Sequence, residues 1–229
     1  MASPVQHVRA RTFGSSKAPR ALVDPATASA ESLRTLRLAL QIRSDKRTGN
    51  SILFTSAEAG VGKSTVAANY SLIASMGQSV LLIDGDLHRP SLHRFFGVEQ
   101  APGLVDVLAA GSGTVHVARQ VGPGTLRLLP AGSRIGRVGD VAASERMGEL
   151  LREAASDFDQ VVIDAPPVLA SADAEGLASH AGVDVVLVVS PTSKRRLIMK
   201  ALRRLELIEA HVAGIVVNRS GRVASYGGY

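Results

Sequence analysis

The chain has 229 residues, of which 45% are hydrophobic and only 3% aromatic, and its formal net charge is +6. This length suits one α/β domain with a core of Val, Leu, Ile and Ala. The absence of cysteine excludes a disulfide scaffold, thiolate metal ligands and cysteine catalysis, and no apolar run is long enough for a membrane span.

The N-terminal region, residues 1–25, carries four basic residues among Ser, Pro and Gly. This composition predicts a mobile basic tail. It lacks the hydrophobic block of a secretory signal, so we expect a soluble, cytoplasmic protein. The net charge indicates an anionic partner, either a membrane surface, nucleic acid or phosphorylated groups. Few aromatic residues are present to stack on bases, which argues against single-stranded nucleic acid.

A helix is predicted over residues 29–43, where leucines recur at helical spacing. Glu31, Arg34 and Arg37 follow at three-residue steps along a neighbouring stripe. At this spacing, opposite charges can pair within one helix or between chains. The charge pattern alone favours a solvated face with local ion pairs.

Residues 51–65, SILFTSAEAGVGKST, have the pattern of a phosphate-binding loop. An apolar strand leads into a glycine-rich turn, whose backbone N–H groups can surround phosphate oxygens, and a helix pattern begins at Lys63. Ala57 stands where the strict pattern has glycine. We expect Lys63 to reach the β- and γ-phosphates and the Ser64 hydroxyl to ligate Mg²⁺. The predicted nucleotide-binding residues of the loop are Ala59, Gly60, Val61, Gly62, Lys63, Ser64 and Thr65.

Three aspartates directly follow predicted apolar strands. Asp84 and Asp86 come after the strand at 79–83, and Asp164 comes after the strand at 160–163. A strand-terminal aspartate is usually a turn or helix cap, but three of them beside a phosphate loop indicate Mg²⁺ coordination. One of the closely spaced pair can instead accept a proton from a hydroxyl nucleophile.

The remaining pattern alternates between strands and helices. Short helices and loop are predicted over 87–111, further strands at 126–129, 183–189 and 214–217, and further helices at 141–155, 172–179 and 193–210. This alternation predicts a mainly parallel sheet with helices on both faces. Ligands bind such sheets at the carboxyl ends of the strands, where the aspartates and the glycine-rich loop all fall.

Other polar residues near this edge allow two interpretations each. Asn218, after the last predicted strand, can read the adenine edge with its amide or simply form a turn. His88, Arg89 and Arg94 can contact phosphates or be solvated. The basic face of the helix from Lys194 to Arg204 is interpreted as solvated.

With these residues in view, the chain resembles the bacterial tyrosine kinases (BY-kinases) of capsular and exopolysaccharide synthesis, from about residue 29 to 229. SAEAGVGKST resembles their Walker A motif, and VLLIDGDLHRPSLHRFFGV resembles their distinctive Walker A′ segment. QVVIDAPPVL resembles their Walker B motif, and LRLLPAGS the strand and loop between them. Glu31, Arg34 and Arg37 fit the family's E-x-x-R-x-x-R oligomerisation motif, so their pairing across subunits becomes the favoured interpretation.

The resemblance implies a P-loop NTPase-like fold, with a kinase domain over residues 26–220 and a flexible tyrosine-bearing tail over 221–229. It implies an ATP- and Mg²⁺-dependent autokinase that phosphorylates Tyr226 and Tyr229 of a neighbouring protomer in a ring. The ring would regulate capsular or exopolysaccharide polymerisation or export from the inner face of the plasma membrane. The implied partners are the cytoplasmic tail of a membrane polysaccharide co-polymerase or adaptor and a tyrosine phosphatase, and no nucleic acid.

The resemblance also implies roles for individual residues. Lys63 and Ser64 hold the phosphates and Mg²⁺. Asp84 is the base for the tyrosine hydroxyl, while Asp86 and Asp164 arrange the metal and its waters.

Three features depart from the family pattern. The tail has two tyrosines instead of a cluster, His88-Arg89 replaces a pair of arginines, and an Asn-Pro segment is missing near residues 133–145. Two alternatives therefore stay open. One is a positioning ATPase of the Min and Par type, although Glu58 stands where that class has a signature lysine. The other is a kinase-like regulator that binds ATP but transfers little phosphate.

Overall fold

The computed structural model of the chain describes residues 27–44, 49–110, 117–122, 124–133 and 141–220. The two predicted tails, 1–25 and 221–229, lie outside these residues. In chain order, the elements are α1 (Ala28–Ser44), β1 (Ser51–Ser56), α2 (Lys63–Ala74), β2 (Val80–Asp84), α3 (Leu92–Phe96), α4 (Leu104–Ala110), β3 (Arg119–Gln120), β4 (Leu126–Leu129), α5 (Glu145–Asp157), β5 (Gln160–Asp164), α6 (Asp173–Ala178), β6 (Val183–Val189), α7 (Arg195–Leu207) and β7 (His211–Val217).

One seven-stranded sheet organises the fold, in the strand order β3-β4-β2-β5-β1-β6-β7. Neighbouring strands are parallel except for the pair β3 and β4, which is antiparallel. Every residue of β1, β2, β5 and β6 is buried. Their apolar runs are therefore continuous rather than alternating, as expected for parallel strands covered on both sides.

Helices cover both faces of the sheet. Helices α1 and α2 pack on one face, where Leu40, Val66 and Tyr70 share a core with residues of β1 and β2. On the other face, Met147 of α5 and Leu205 of α7 belong to a second core. This arrangement confirms the predicted P-loop NTPase-like α/β fold. No helix among the described residues is both long enough and apolar enough to cross a membrane.

Several boundaries differ from the sequence prediction. Helix α5 begins at Glu145 instead of residue 141, because Ser144 is its N-cap and accepts a hydrogen bond from the backbone N–H of Met147 at 3.2 Å. Strand β7 begins at residue 211 instead of 214. Strand β3 was not predicted, since two residues are too few to form a recognisable pattern.

Strand β7 forms one edge of the sheet. Unlike the central strands, it carries large apolar side chains that contact solvent: Ile215 is 49% exposed and Val217 is 53% exposed. Strand β3 forms the other edge and is only two residues long.

Candidate active site

The phosphate loop connects β1 to α2 at the carboxyl edge of the sheet. Gly60 and Gly62 have φ values of 85° and 91°, in the left-handed region that favours glycine. Gly62 is the N-cap of α2, and a Cβ there would clash with the side-chain amide of Asn218. Ala57 is buried and has no positive φ, which explains why alanine is tolerated where the strict motif has glycine.

Lys63, the first residue of α2, joins two aspartates that follow different strands. Its Nζ lies 2.9 Å from Asp86 Oδ2, 3.3 Å from Asp164 Oδ1 and 3.3 Å from Ser64 Oγ. Burial lowers the pKa of Lys63, but the carboxylates of Asp164 and Asp86 outweigh burial and raise it above its ordinary value. Lys63 therefore stays charged at the centre of the site.

Asp84 ends β2 and is completely buried. Its Oδ2 accepts hydrogen bonds from the backbone N–H groups of Ser91, at 3.0 Å, and Leu92, at 2.9 Å. Its Oδ1 is buried without a hydrogen-bond partner. Burial, together with the charge of Asp164, raises the pKa of Asp84 to about 7, against the opposing effect of the two N–H donors. Asp84 can therefore exchange a proton near neutral pH.

The oxygen atoms suited to Mg²⁺ gather around Asp164. Its Oδ2 is buried without a hydrogen-bond partner, and burial raises its pKa although Lys63 opposes this effect. No group of three or more His, Cys, Asp or Glu with metal-binding geometry occurs in the described part of the chain. Mg²⁺ usually binds one or two carboxylates together with substrate phosphates, so the donors Ser64, Asp86 and Asp164 fit this ion.

A cleft of about 810 Å³ opens above these residues, a volume typical of small-molecule sites. Asp86 lines it, whereas the completely buried Asp84 is not among the lining residues. The lining also includes several basic residues and part of the loop after β5: His88, Arg89, Arg94, Arg219, Pro166, Pro167, Ala170 and Ser171. The structure thus brings His88, Arg89 and Arg94 to the cleft, which supports their interpretation as phosphate contacts more than a purely solvated role.

His88 and Arg89 are fixed by contacts with acidic residues. His88 Nε2 lies 2.9 Å from Oδ2 of Asp173, the first residue of α6. The backbone N–H of Arg89 donates to Asp86 Oδ1 at 3.0 Å. The first contact links the segment after β2 to α6, and the second closes a turn within that segment.

Asn218 contacts the phosphate loop directly. Its Nδ2 donates to the carbonyl of Val61 at 2.8 Å, and its Oδ1 accepts from the backbone N–H of Arg219 at 2.9 Å. The side chain therefore links the end of β7 to the loop. Arg219 is a cleft residue that sequence reasoning missed, and its only sequence signal is its position just after a strand that ends at the site edge.

The charged stripe on α1 lies apart from the cleft. Arg34 Nη1 and Glu31 Oε2 form an exposed ion pair at 2.9 Å within the helix. Arg37 turns inward: its Nε is buried without a hydrogen-bond partner, and its charge partly opposes the rise that burial causes in the pKa of Tyr70 on α2. Arg37 thus packs within its own chain, and the pairing of all three residues across subunits stays a prediction.

Tyr70 is one of the three tyrosines of the chain. It is completely buried, and its hydroxyl donates to Gln160 Oε1 at 3.0 Å. Burial raises its pKa to about 12. The other two, Tyr226 and Tyr229, lie outside the described residues.

Comparison with known sequences identifies relatives. The ParA family model, described as NUBPL iron-transfer P-loop NTPase, matches residues 47–228. The tyrosine-protein kinase YwqD of Bacillus subtilis is 32% identical over 91% of this chain and 90% of its own length. The EpsB protein of Ralstonia solanacearum is 36% identical over 90% of this chain, but the chain spans only 28% of EpsB.

Comparison with solved structures gives the same result. The kinase domain of the Escherichia coli tyrosine kinase ETK superposes with a TM-score of 0.82 and 27% identity, covering 97% of this chain and 86% of that domain. The septum site-determining protein MinD of Pyrococcus horikoshii gives a TM-score of 0.62 and 27% identity, over 76% of this chain and 71% of MinD. The family match and the near full-length identity with YwqD show that the chain belongs to the ParA-type P-loop NTPases and, within them, to the bacterial tyrosine-protein kinases.

Proposed function

We propose that the chain is an ATP- and Mg²⁺-dependent protein-tyrosine autokinase that regulates capsular or exopolysaccharide polymerisation or export. The observation that carries the proposal is the position of Lys63, which lies at the phosphate loop and contacts Asp86 and Asp164 from two neighbouring strands. A buried cation between two carboxylates, beside N–H groups that can surround phosphates, suits phosphoryl transfer.

In this proposal, the loop 59–65 binds the phosphates of ATP and Lys63 contacts the β- and γ-phosphates. Ser64, Asp86 and Asp164 hold Mg²⁺, which when bound neutralises charge on the phosphate chain. The tyrosine oxygen forms a bond to the γ-phosphorus, and the bond from that phosphorus to the bridging oxygen of ADP breaks. The enzyme removes the tyrosine proton.

Asp84 is the proposed acceptor of that proton. Its pKa of about 7 suits a general base near neutral pH, and its Oδ1 has no other hydrogen-bond partner. Asp86 lines the cleft but its two oxygens already contact Lys63 and Arg89. Asp84 therefore remains the proposed base, and the tyrosine hydroxyl must come within hydrogen-bond reach of its carboxylate, directly or through one water.

The proposed phosphoacceptors are Tyr226 and Tyr229. Since Tyr70 is completely buried and hydrogen-bonded to Gln160, no kinase site can reach its hydroxyl in the folded protein. The two C-terminal tyrosines are then the remaining acceptors in the chain.

We further propose that the kinase acts in trans within a ring assembled through Glu31, Arg34 and Arg37. The exposed side chains of Leu38 and Ile42, 58% and 62% exposed, extend the surface of α1 available to a neighbouring copy. The ring would be cytoplasmic, and the cytoplasmic tail of a polysaccharide co-polymerase or adaptor would recruit it to the inner face of the plasma membrane. A tyrosine phosphatase would reverse the phosphorylation.

The proposal is tested by incubating the full chain with Mg-ATP, with and without candidate partner tails, followed by mass spectrometry. Phosphate is expected on Tyr226 or Tyr229, and Tyr226→Phe with Tyr229→Phe is expected to remove most of it. Phosphate on Tyr70 would contradict the tail as acceptor. ATP hydrolysis with an unmodified tail under every condition would favour a switch ATPase, the function suggested by the ParA family match and the MinD likeness.

A further inference from the structure

Arg219 adopts a backbone conformation that side chains rarely take. Its φ is 61°, in the left-handed region, where a residue with a Cβ is strained. Among the described residues, only Glu209 shares this property without being glycine. Strain of this kind is retained where the surrounding structure holds it in place, and it occurs often at ligand sites.

The surrounding structure that holds Arg219 is Asn218. The amide of Asn218 bonds the Val61 carbonyl on one side and the backbone N–H of Arg219 on the other. This pair of hydrogen bonds directs Arg219 to the cleft, where it lies beside Gly60 and Gly62. A Cβ on Gly62 would lie 3.8 Å from Arg219 Nη2, so the guanidinium is next to the phosphate loop.

The described part of the chain provides no acidic partner for the charge of Arg219. Of the ion pairs formed by described residues, none involves Arg219, and its side chain is exposed in the cleft. A strained, unpaired arginine at a nucleotide-sized cleft calls for a ligand group of matching chemistry.

The strand order shows which part of a nucleotide lies near Arg219. Asp86 and Asp164, the aspartates proposed to hold Mg²⁺, lie at or just after the ends of β2 and β5, on one side of β1, whereas Arg219 follows β7, on the other side. These aspartates would hold Mg²⁺ beside the phosphates, so the phosphate end of ATP would point toward them. The nucleoside end must then extend across the loop toward β7.

We infer that Arg219 binds the base of the nucleotide by stacking its guanidinium on the ring. A planar guanidinium stacks well on aromatic faces. Asn218, the residue expected to read the adenine edge, commits one amide N–H to the Val61 carbonyl and its oxygen to the N–H of Arg219, so these bonds fix its orientation. Asn218 is therefore a positioning residue for Arg219, and Arg219 makes the contact with the base. This inference rests on the proposed ATP-dependent function.

Calorimetric titration of the full chain with Mg-ATP and with Mg-tripolyphosphate separates the two ends of the ligand. Arg219→Asn removes the cation but suits the left-handed backbone, so its melting temperature should stay or rise by up to about 4 °C. It should bind ATP about tenfold more weakly and tripolyphosphate within about twofold of the unaltered chain. Arg219→Lys, which keeps the charge without the planar group, should be intermediate for ATP.

The matched control is Arg152→Gln, at an exposed arginine of α5 outside the cleft, which should change neither affinity. If Arg219→Asn lost equal affinity for ATP and for tripolyphosphate, Arg219 would contact the phosphates, and the inferred stacking on the base would be overturned. Unchanged ATP affinity in Arg219→Asn would reduce Arg219 to a turn residue. Failure of the unaltered chain to bind ATP at all would overturn the nucleotide-dependent function itself, a result distinct from both.

Discussion

Two groups of charged residues in this molecule differ in what surrounds them. The buried charge cluster, Lys63 with Asp84, Asp86 and Asp164, has no member more than 9% exposed. In the α1 charge stripe, formed by Glu31, Arg34 and Arg37, the side chains of Glu31 and Arg34 are 69% and 42% exposed. Buried charges are costly unless they are paired, whereas exposed pairs contribute little to stability. The cluster thus acts within one chain, and the stripe gains a function only if another chain covers it.

Lys63→Met should produce the largest effect, because it removes the only cation of the buried charge cluster. We expect loss of ATP binding and phosphorylation, and a loss of stability of about 3 kcal/mol from the carboxylates left unpaired. Calorimetry with Mg-ATP and urea unfolding measure the two effects. Lys200→Met, at an exposed lysine of α7, is the matched control. Phosphorylation that survives in Lys63→Met would refute the assignment of the phosphate loop.

Asp84→Asn should change how stability depends on pH. Because the pKa of Asp84 rises from 3.8 to about 7 on folding, the folded state binds this proton more tightly than the unfolded state. The stabilisation is complete below about pH 4 and is lost as the pH rises through 7, by at most about 1.4 kcal/mol per pH unit. Urea unfolding of both proteins between pH 4 and 8 should show the difference between them falling over this range. A constant difference would mean that Asp84 ionises normally.

Arg37→Ala should have an intermediate effect, since Arg37 packs against α2 while belonging to the exposed stripe. We expect the free energy of unfolding to fall by about 1 kcal/mol, through lost contacts of its aliphatic stem, and the proposed ring to weaken. Thermal unfolding and light scattering of the same sample measure these changes. A large loss of stability without a change in assembly would mean that Arg37 serves packing inside its own chain rather than contact with a neighbouring copy.

Arg34→Ala should affect the isolated chain least. Its pair with Glu31 is exposed, so stability should change by less than about 0.5 kcal/mol. The proposed ring should nevertheless weaken, because the surface partner of a neighbouring copy is lost. If light scattering shows the same oligomer for Arg34→Ala and for the unaltered chain, the charged face of α1 is only solvent-exposed and does not take part in assembly.

The same contrast explains what could be predicted from the sequence. The phosphate loop and the aspartates at strand ends depend on short local patterns, so the strands, the fold and the gathering of these residues at one edge could be predicted. The inward direction of Arg37 and the position of Arg219 depend on distant parts of the chain. Asn218 bonds Val61, 157 residues away, and no local pattern encodes such a contact. Likewise, the completely buried carboxylate of Asp84 looks in sequence like that of Asp86, which lines the cleft.

The unequal edges of the sheet have a consequence for handling the protein. An exposed strand edge can pair with a strand of another molecule and start aggregation, and a very short edge strand prevents this. Strand β3 is two residues long, whereas β7 is seven residues long and exposes Ile215 and Val217. Within the described part of the chain, β7 is therefore the one edge open to strand addition. Ile215→Lys is therefore the simplest change to reduce aggregation of this kinase domain in concentrated solution.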